Sequence, residues 1–212
     1  MEDNFNNYLS INKINVSRET YLDFEVYISM LLDKNQHINI ISKKTSKINI
    51  IRERHILDSA QAIDFVDLNS NTTYDLGSGG GMPGIVIAII LKNLKREMQF
   101  NLYEKSHHKS MFLKEVSKKL KLNTKVIQDD IFKSKNLKSG TILARAFKPL
   151  PLVLELVHKN FSSYKNLVIF MGKNGKQVLK EVSKNWDFEY KEKRSITNKD
   201  SFLLNIKNIK KK

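Results

Sequence analysis

Apolar residues recur at helical spacing near the start of the chain and predict a helical region ahead of any sheet. A first helix is predicted from Arg18 to about Lys34, with Ser17 as its N-cap and one buried face formed by Tyr21, Phe24, Ile28 and Leu31. A second helix is predicted from about Lys47 to Val66, with Ile56, Ala60 and Ile63 on one side. Residues 1–70 are therefore expected to form an N-terminal helical region packed on the core.

Beyond residue 71 the pattern changes to short strand-like runs that alternate with helices. Seven strands are predicted, at Thr72–Leu76, Gln99–Glu104, Thr124–Gln128, Thr141–Phe147, Asn166–Met171, Asp187–Lys193 and Phe202–Ile206. Four helices are predicted between them, at Ile85–Leu94, His107–Leu120, Leu150–Asn160 and Gly175–Lys184. This alternation is typical of an α/β fold with a mostly parallel sheet. Because only Ser195 to Ser201 separate the last two strands, these are expected to pair antiparallel, which completes a Rossmann-like core over residues 71–212.

A glycine-rich run follows the first predicted strand. Five of the eight glycines of the chain fall between Gly77 and Gly84, directly after Asp75 and Leu76. Glycine lets the main chain take positive φ and lets a ligand approach it closely, as in a strand-to-helix turn that binds a nucleotide-like cofactor. The alternative is a glycine-rich turn with a purely structural role.

Two cofactor classes use turns of this type. A dinucleotide site has the pattern Gly-x-Gly-x-x-Gly, which this run also satisfies loosely. Glu104, at the end of the second predicted strand, can accept both hydroxyls of an adenosine ribose, and this favours S-adenosylmethionine. Seven strands with a final antiparallel pair are also the layout of the class I S-adenosylmethionine-dependent methyltransferase fold, whereas dinucleotide folds are usually all parallel.

Composition narrows the class of protein further. The chain has no cysteine, which excludes disulfides and cysteine zinc sites, and no metal site is expected. Its longest apolar run, Ile85 to Leu91, is far shorter than the roughly 20 residues of a membrane span, so we expect a soluble, cytoplasmic protein. The formal net charge of +15 favours a nucleic acid partner, although lysine drift on solvated faces would also produce it. The basic tail from Lys207 to Lys212 is predicted to be disordered.

Three further segments carry side chains suited to a binding site. Asp130, Ile131 and Phe132 follow the third predicted strand, where an adenine would meet an apolar side chain and a carboxylate. Arg145 lies at the end of the fourth, among apolar residues; a structural ion pair with Asp75 is the alternative to a functional role. His55 and Asp58 lie one turn apart on the second helix, and a packing pair is the alternative there.

Taken together, these segments resemble one known family. The motifs Arg54-His55-Ile56-Leu57-Asp58-Ser59, Asp75-x-Gly77-x-Gly79-x-Gly81-Met82-Pro83-Gly84 and Arg145-Ala146-Phe147 are similar to those of the bacterial 16S rRNA (guanine-N7)-methyltransferases, also called glucose-inhibited division protein B. The resemblance extends from about Tyr21 to Ile206. It implies transfer of a methyl group from S-adenosylmethionine to the N7 of one guanine in small-subunit ribosomal RNA.

The residues and the resemblance together predict the site; the resemblance itself implies that Gly77, Met82, Ile131, Phe132 and Arg145 contact the cofactor or frame its pocket. The cofactor-binding residues are expected to be Gly77, Gly79, Gly81, Met82, Glu104, Asp130, Ile131, Phe132 and Arg145. Arg145, His55 and Asn39 are candidates for holding the guanine or its phosphate. The chain departs from the family in two places: it has Asp130-Ile131-Phe132 where the family carries Arg-Ala-Glu, and Met171-Gly172-Lys173 where the family carries Lys-Gly.

The chemistry implied by the resemblance needs few special side chains. Guanine N7 is a lone pair in the plane of the base, and its methylation removes no proton, so no general base is required. The alternatives are a methyltransferase for a small molecule or another RNA, a nicotinamide oxidoreductase, and an RNA-binding module without activity. We expect a monomer that acts on 16S rRNA. The sequence leaves open whether naked RNA or a small-subunit particle is the substrate.

Overall fold

One seven-stranded sheet forms the centre of the structure, a computed structural model that describes residues 16–212. The strands are β1 (Thr72–Leu76), β2 (Gln99–Tyr103), β3 (Thr124–Ile127), β4 (Leu137–Ala144), β5 (Phe161–Met171), β6 (Trp186–Arg194) and β7 (Phe202–Lys211). They lie in the order β3-β2-β1-β4-β5-β7-β6. The first five strands are parallel, and β7 is antiparallel to both β5 and β6. The predicted seven strands and final antiparallel pair are therefore both present.

Helices cover both faces of this sheet. They are α1 (Arg18–His37), α2 (Ile48–Ile51), α3 (Asp58–Ala60), α4 (Gly84–Asn93), α5 (His107–Lys119), α6 (Leu150–Asn160) and α7 (Gly175–Val182). Ser17 caps α1 as predicted, because its hydroxyl accepts a hydrogen bond from the N–H of Thr20 at 3.3 Å. The helix runs three residues past its predicted end at Lys34.

The second predicted helix is composite rather than regular. Over residues 48–65, α2 continues through a π turn at Arg52–Leu57, α3 and a 3₁₀ turn at Gln61–Phe65. The N–H of Asp58 reaches the carbonyl of Glu53, an i to i+5 hydrogen bond. Ile51 and Ile56 are both fully buried, and their spacing of five residues fits such a wide turn. Apolar residues at helical spacing also occur in this stretch, so the sequence pattern alone does not distinguish the composite helix from a regular α-helix.

The fourth strand differs from its prediction at both ends. It was expected at Thr141–Phe147, but β4 begins at Leu137 and ends at Ala144, where its pairing with Leu76 of β1 also ends. The chain then turns, because Ala146 has a φ of +50°, in the left-handed region. Arg145 and Phe147 therefore lie in a loop beyond the strand and not within it.

The prediction of a disordered basic tail is wrong. Strand β7 continues to Lys211 and pairs with β6, with Lys211 opposite Trp186 and Lys210 opposite Asp187. Ile209 is buried, and Lys211 lies 5.9 Å from the centre of the Trp186 ring. Backbone pairing with β6 orders this segment. The prediction of disorder depended on the lysines of the tail, which do not indicate this pairing.

Two apolar layers form the core, one on each face of the sheet. The first joins α1, the composite helix, α4 and α5, and the second joins α6, α7 and the C-terminal strands. Buried residues of α1, among them Phe24 and Leu31, belong to the same cluster as buried residues of α4 such as Ile87. Buried residues of α1 and α4 thus share one apolar layer, while the division of the chain at residue 70 into a helical region and a core stays a prediction.

Buried polar contacts hold the glycine turn over residues 77–84 in place. The N–H of Gly84 donates to the Asp75 carboxylate at 3.1 Å, and the hydroxyl of the fully buried Tyr27 donates to the carbonyl of Gly80 at 2.6 Å. Burial raises the pKa of Asp75 to about 7. A Cβ at Gly84 would lie 2.5 Å from an Asp75 oxygen, so only glycine fits there. The sheet and α1 together therefore fix the path of the turn.

We predict that Tyr27→Phe destabilises the protein. The change leaves the buried carbonyl of Gly80 without its donor, which costs about 1–3 kcal/mol. Thermal unfolding should show a Tm lower by about 2–4 °C for each kcal/mol lost. The control Tyr190→Phe removes a hydroxyl from a side chain that is 48% exposed and should leave the Tm unchanged. Equal melting of wild type and Tyr27→Phe would contradict a structural role for this hydrogen bond.

Candidate active site

A cavity of about 550 Å³ opens beside the glycine turn, at the carboxyl ends of β1, β2 and β4. We call it the turn cavity. Its walls come from four parts of the chain: Ile40, Ile41, Ser42 and Thr45 with His55; the glycine turn with Met82; Glu104, Lys105 and Lys109 after β2; and Arg145, Ala146 and Phe147 after β4. Ligands of open α/β sheets bind at this edge.

Phe147 covers the first glycine of the turn. Gly77 has a φ of +67°, and a Cβ built on it would lie 2.4 Å from Cδ2 of the Phe147 ring. A side chain at position 77 would thus be strained in its backbone and would also occupy the space of the aromatic ring. The glycine leaves main chain exposed beneath an aromatic wall, the surroundings in which an adenosine group fits.

Glu104 lies at the turn cavity and already orders its floor. Its Oε2 accepts a hydrogen bond from the N–H of Gly79 at 2.8 Å, and its Oε1 accepts one from the N–H of Ser106, also at 2.8 Å. Each carboxylate oxygen has two lone pairs, so one acceptor position remains on each. Glu104 can therefore hold the turn and bind two ligand hydroxyls at the same time.

His55 lines the same cavity from the composite helix. Its Nε2 lies 3.0 Å from Thr45 Oγ1, and its buried Nδ1 has no partner among the described atoms. Burial, with the positive charge of Arg145 nearby, lowers the pKa of His55 to about 4. The ring is accordingly neutral at pH 7. His55 makes no described hydrogen bond with Asp58, the packing partner considered in the sequence analysis.

Arg145 forms an ion pair with Asp58 and not with Asp75. Its Nη2 lies 3.1 Å from Asp58 Oδ2 and donates to the carbonyl of Arg54 at 2.6 Å, while Nη1 donates to Ser59 Oγ at 3.1 Å. The alternative given for Arg145 in the sequence analysis, a structural ion pair with Asp75, is therefore wrong about the partner, which is Asp58. The acceptors are on the composite helix because its π turn brings that stretch to the end of β4. Arg145 is held in place and still forms a wall of the turn cavity.

The structure brings six of the predicted residues together and leaves five outside the cavity wall. Those on the wall are Gly77, Gly79, Met82, Glu104, His55 and Arg145. Gly81 is packed against Ile85 and Tyr27, and Ile131 is buried in the second apolar layer. Asp130 forms an ion pair with Lys105 at 2.6 Å, and Phe132 stacks on Phe147 with a centroid distance of 6.3 Å. Asn39 is exposed, beside the lining residue Ile40. The binding roles of all these residues, on the wall and outside it, stay predictions.

Sequence reasoning missed three contributors to the site. Tyr27 is not among the predicted core residues of the first helix, and nothing in the pattern indicates that its hydroxyl holds the turn. The lining residues Ile40, Ile41, Ser42 and Thr45 belong to no motif and have no side chain that would single them out in the sequence. Phe147 belongs to the motif Arg145-Ala146-Phe147. Its position two residues after Arg145 could have predicted an aromatic wall of the cavity.

Neither a metal-binding cluster nor a membrane-spanning helix occurs among the described residues. Within residues 16–212, no three or more His, Asp or Glu side chains are grouped so that they would hold a metal ion. In the same part of the chain, no helix has the length and apolar character needed to cross a membrane.

Comparison with solved structures identifies the fold class. A mutant of MtNAS in complex with S-adenosylmethionine is similar with a TM-score of 0.55 and 13% identity, over 89% of this chain and 75% of that chain. TrmK of M. capricolum in complex with S-adenosylhomocysteine is similar with a TM-score of 0.51 and 14% identity, over 70% of this chain and 66% of that one. The predicted class I methyltransferase fold is confirmed.

Comparison of sequences identifies the family. A protein of Pelagibacter ubique named ribosomal RNA small subunit methyltransferase G is 62% identical over the full length of both chains. A protein of Bartonella tribocorum with the same name is 36% identical, over 92% of this chain and 91% of its own. The family model GidB, described as rRNA small subunit methyltransferase G, matches residues 20–206. The chain therefore belongs to the GidB family of rRNA small subunit methyltransferases.

Proposed function

We propose that this protein methylates the N7 of a specific guanine in 16S ribosomal RNA, with S-adenosyl-L-methionine as the methyl donor. It is a methyltransferase by its family, and the family match over residues 20–206 is the observation that carries the proposal. The turn cavity supports the choice of cofactor. Its glycine floor, its carboxylate with two acceptor positions and its aromatic wall are the groups that an adenosine with a cationic sulfur requires.

The residues of the site act by binding and alignment. S-Adenosylmethionine, bound by the glycine turn and Glu104, would supply a methyl group on a sulfonium sulfur for transfer to guanine N7. No proton leaves N7, so the neutral His55 need not act as a base. Glu104 orients the donor through its ribose, Phe147 excludes water above Gly77, and Arg145 forms a fixed wall towards the acceptor. Positioning and water exclusion are the main sources of rate acceleration.

A transfer assay tests this function. Small-subunit RNA from cells that lack the gene would be incubated with the protein and with S-adenosylmethionine labelled in its methyl group. Digestion to nucleosides followed by mass spectrometry should find the label in N7-methylguanosine, and mass spectrometry of ribonuclease fragments should place it at one position. Label on another base or another RNA would contradict the guanine proposal, and label only on a small molecule would favour the alternative acceptor.

We also propose that the protein acts as a monomer in the cytoplasm, where its substrate is made. The same assay with naked 16S RNA and with small-subunit particles shows which of them is the substrate. Sedimentation at the assay concentration measures the oligomeric state. A dimer would contradict the monomer part of the proposal and leave the chemistry unchanged.

The distribution of charge supports an RNA substrate. Many lysines form ion pairs away from the site, such as Lys159 with Glu155 and Lys184 with Glu181. On the wall of the turn cavity Lys105 pairs with Asp130, whereas Lys109 has no acidic partner within 4 Å among the described residues. The same is true of Lys43 and Lys44, which lie between two lining residues. These cations at the cavity mouth are available to RNA phosphates.

We predict that Glu104→Ala weakens cofactor binding. The change removes charge-assisted hydrogen bonds of about 1.5–3 kcal/mol, which corresponds to roughly ten- to a hundredfold in affinity. Calorimetric titration with S-adenosylhomocysteine measures the effect. Glu155→Ala, on α6 and outside the turn cavity, is the matched control and should bind as the wild type does. An unchanged affinity in Glu104→Ala would remove this residue from the cofactor site.

We predict that RNA binding depends strongly on salt and that the cavity mouth carries part of this dependence. Each phosphate contact contributes about 0.7–0.9 to the slope of log K against log salt. The double variant Lys43→Gln/Lys44→Gln should lower the slope by about 1.4–1.8. The control Lys118→Gln/Lys119→Gln changes two adjacent exposed lysines of α5 that line no described cavity, and it should bind as the wild type does. Equal slopes for both pairs would show that the RNA does not contact the cavity mouth.

A further inference from the structure

Gly172, the first residue after β5, has open space where a side chain would be. A Cβ built on it would have no heavy atom within 4 Å apart from those of its chain neighbours, and its φ lies outside the left-handed region. The other glycines have a visible reason for being glycine, namely a close neighbour, as at Gly84, or a positive φ, as at Gly79. Neither packing nor backbone conformation requires a glycine at position 172. The space above it is therefore available to something outside the chain.

Two cavities meet at this glycine. The hairpin cavity, of about 300 Å³, lies between Arg54, Arg145 and the β6–β7 connection, which includes Ser195, Thr197 and Ser201. The β5 cavity, of about 500 Å³, lies between the residues Phe147 to Leu150 and the start of α7. Ala146, Phe170, Met171 and Gly172 line both of them. Together they form one depression at the carboxyl ends of β4 and β5.

This depression adjoins the turn cavity. Ala146 lines all three cavities, and Arg145 lines both the turn cavity and the hairpin cavity. A methyl transfer needs a donor site and an acceptor site that share one wall, so that the two reacting atoms can come within contact distance. The loop after β4 is the shared wall in this structure.

We propose that the guanosine to be methylated, unstacked from its RNA, binds over Gly172 in the space where the hairpin and β5 cavities meet. This inference rests on the proposed function and adds where the acceptor lies. Cavities of several hundred Å³ with apolar and polar walls are of the size that holds one nucleoside. An enzyme that modifies a base has to take it out of the stack and into such a pocket.

The polar wall of the acceptor site is rigid because Asp58 holds it. Asp58 Oδ1 accepts hydrogen bonds from Gln61 Nε2 at 2.7 Å, Ser195 Oγ at 3.2 Å and Thr197 Oγ1 at 2.8 Å, while Oδ2 pairs with Arg145. One carboxylate thus ties the β6–β7 connection to the end of β4. A wall fixed in this way gives the acceptor a defined shape before RNA binds.

The open edges of the acceptor site carry positive charge. Lys148 and Lys173 line the β5 cavity, and Arg54 lines the hairpin cavity. All three side chains are exposed and have no acidic partner within 4 Å among residues 16–212. They flank the depression on two sides, as the phosphates before and after an unstacked nucleotide would require.

Filling the space over Gly172 tests the proposal. Gly172→Leu and Gly172→Gln place long side chains, one apolar and one polar, where the guanosine would lie. Overlap of this kind costs on the order of a 5- to 150-fold loss, which we expect in kcat/KM for methylation of small-subunit RNA. Affinity for S-adenosylhomocysteine and Tm should match the wild type, because Gly172 does not line the turn cavity. Gln177→Leu on α7, exposed and outside the cavities, is the control.

Three results would overturn the proposal. They are undiminished methylation by either long-side-chain variant, a parallel loss of S-adenosylhomocysteine affinity, and an equal loss of rate in Gln177→Leu. If Gly172→Leu fails to fold, Gly172→Gln decides the test without an added apolar group. Failure of the proposed function is a separate result, because it would appear as absent methylation by the wild-type protein.

Discussion

Close packing of the glycine turn against the sheet and α1 is the constraint on which the rest of the site depends. A Cβ at Gly81 would lie 2.5 Å from Ile85, and one at Gly84 would lie 2.5 Å from Asp75, so the turn has a single path. Tyr27 reaches that path from α1, and Glu104 reaches it from the end of β2. The N-terminal helices therefore shape the donor site directly.

A second set of contacts joins the parts that the acceptor must meet. Asp58 connects the composite helix, the loop after β4 and the connection between β6 and β7 through one carboxylate. Removal of one partner from this partly buried pair leaves the other charge uncompensated, so Arg145 has a structural role as well as a place on the cavity wall. The two roles are compatible, because a wall residue with three fixed acceptors presents a constant surface to its ligands.

Periodicity, turn chemistry and the sequence motifs predicted the seven strands and most helices, and six of the eleven predicted site residues lie on the wall of the turn cavity. The errors have common physical causes. The π turn keeps apolar residues buried at a spacing of five, and β7 continues past its predicted end because it pairs with the whole length of β6. Other contacts join residues more than fifty positions apart. They are the hydrogen bonds from Arg145 to Ser59 and Arg54, and the hydrogen bond from the Tyr27 hydroxyl to the Gly80 carbonyl. Local sequence patterns contain no information about such contacts. The glycine turn, by contrast, is formed by residues adjacent in sequence, so the sequence could predict it.

A crystal structure of the protein with S-adenosylhomocysteine tests the central claim most directly. The account predicts the ligand in the turn cavity, with its adenosine over Gly77, its ribose hydroxyls within hydrogen-bonding distance of Glu104 and its sulfur facing Ala146, while the space over Gly172 stays free. A ligand seated over Gly172, or one in the turn cavity without contact to Glu104, would contradict the assignment of separate donor and acceptor sites on the two sides of the β4 loop.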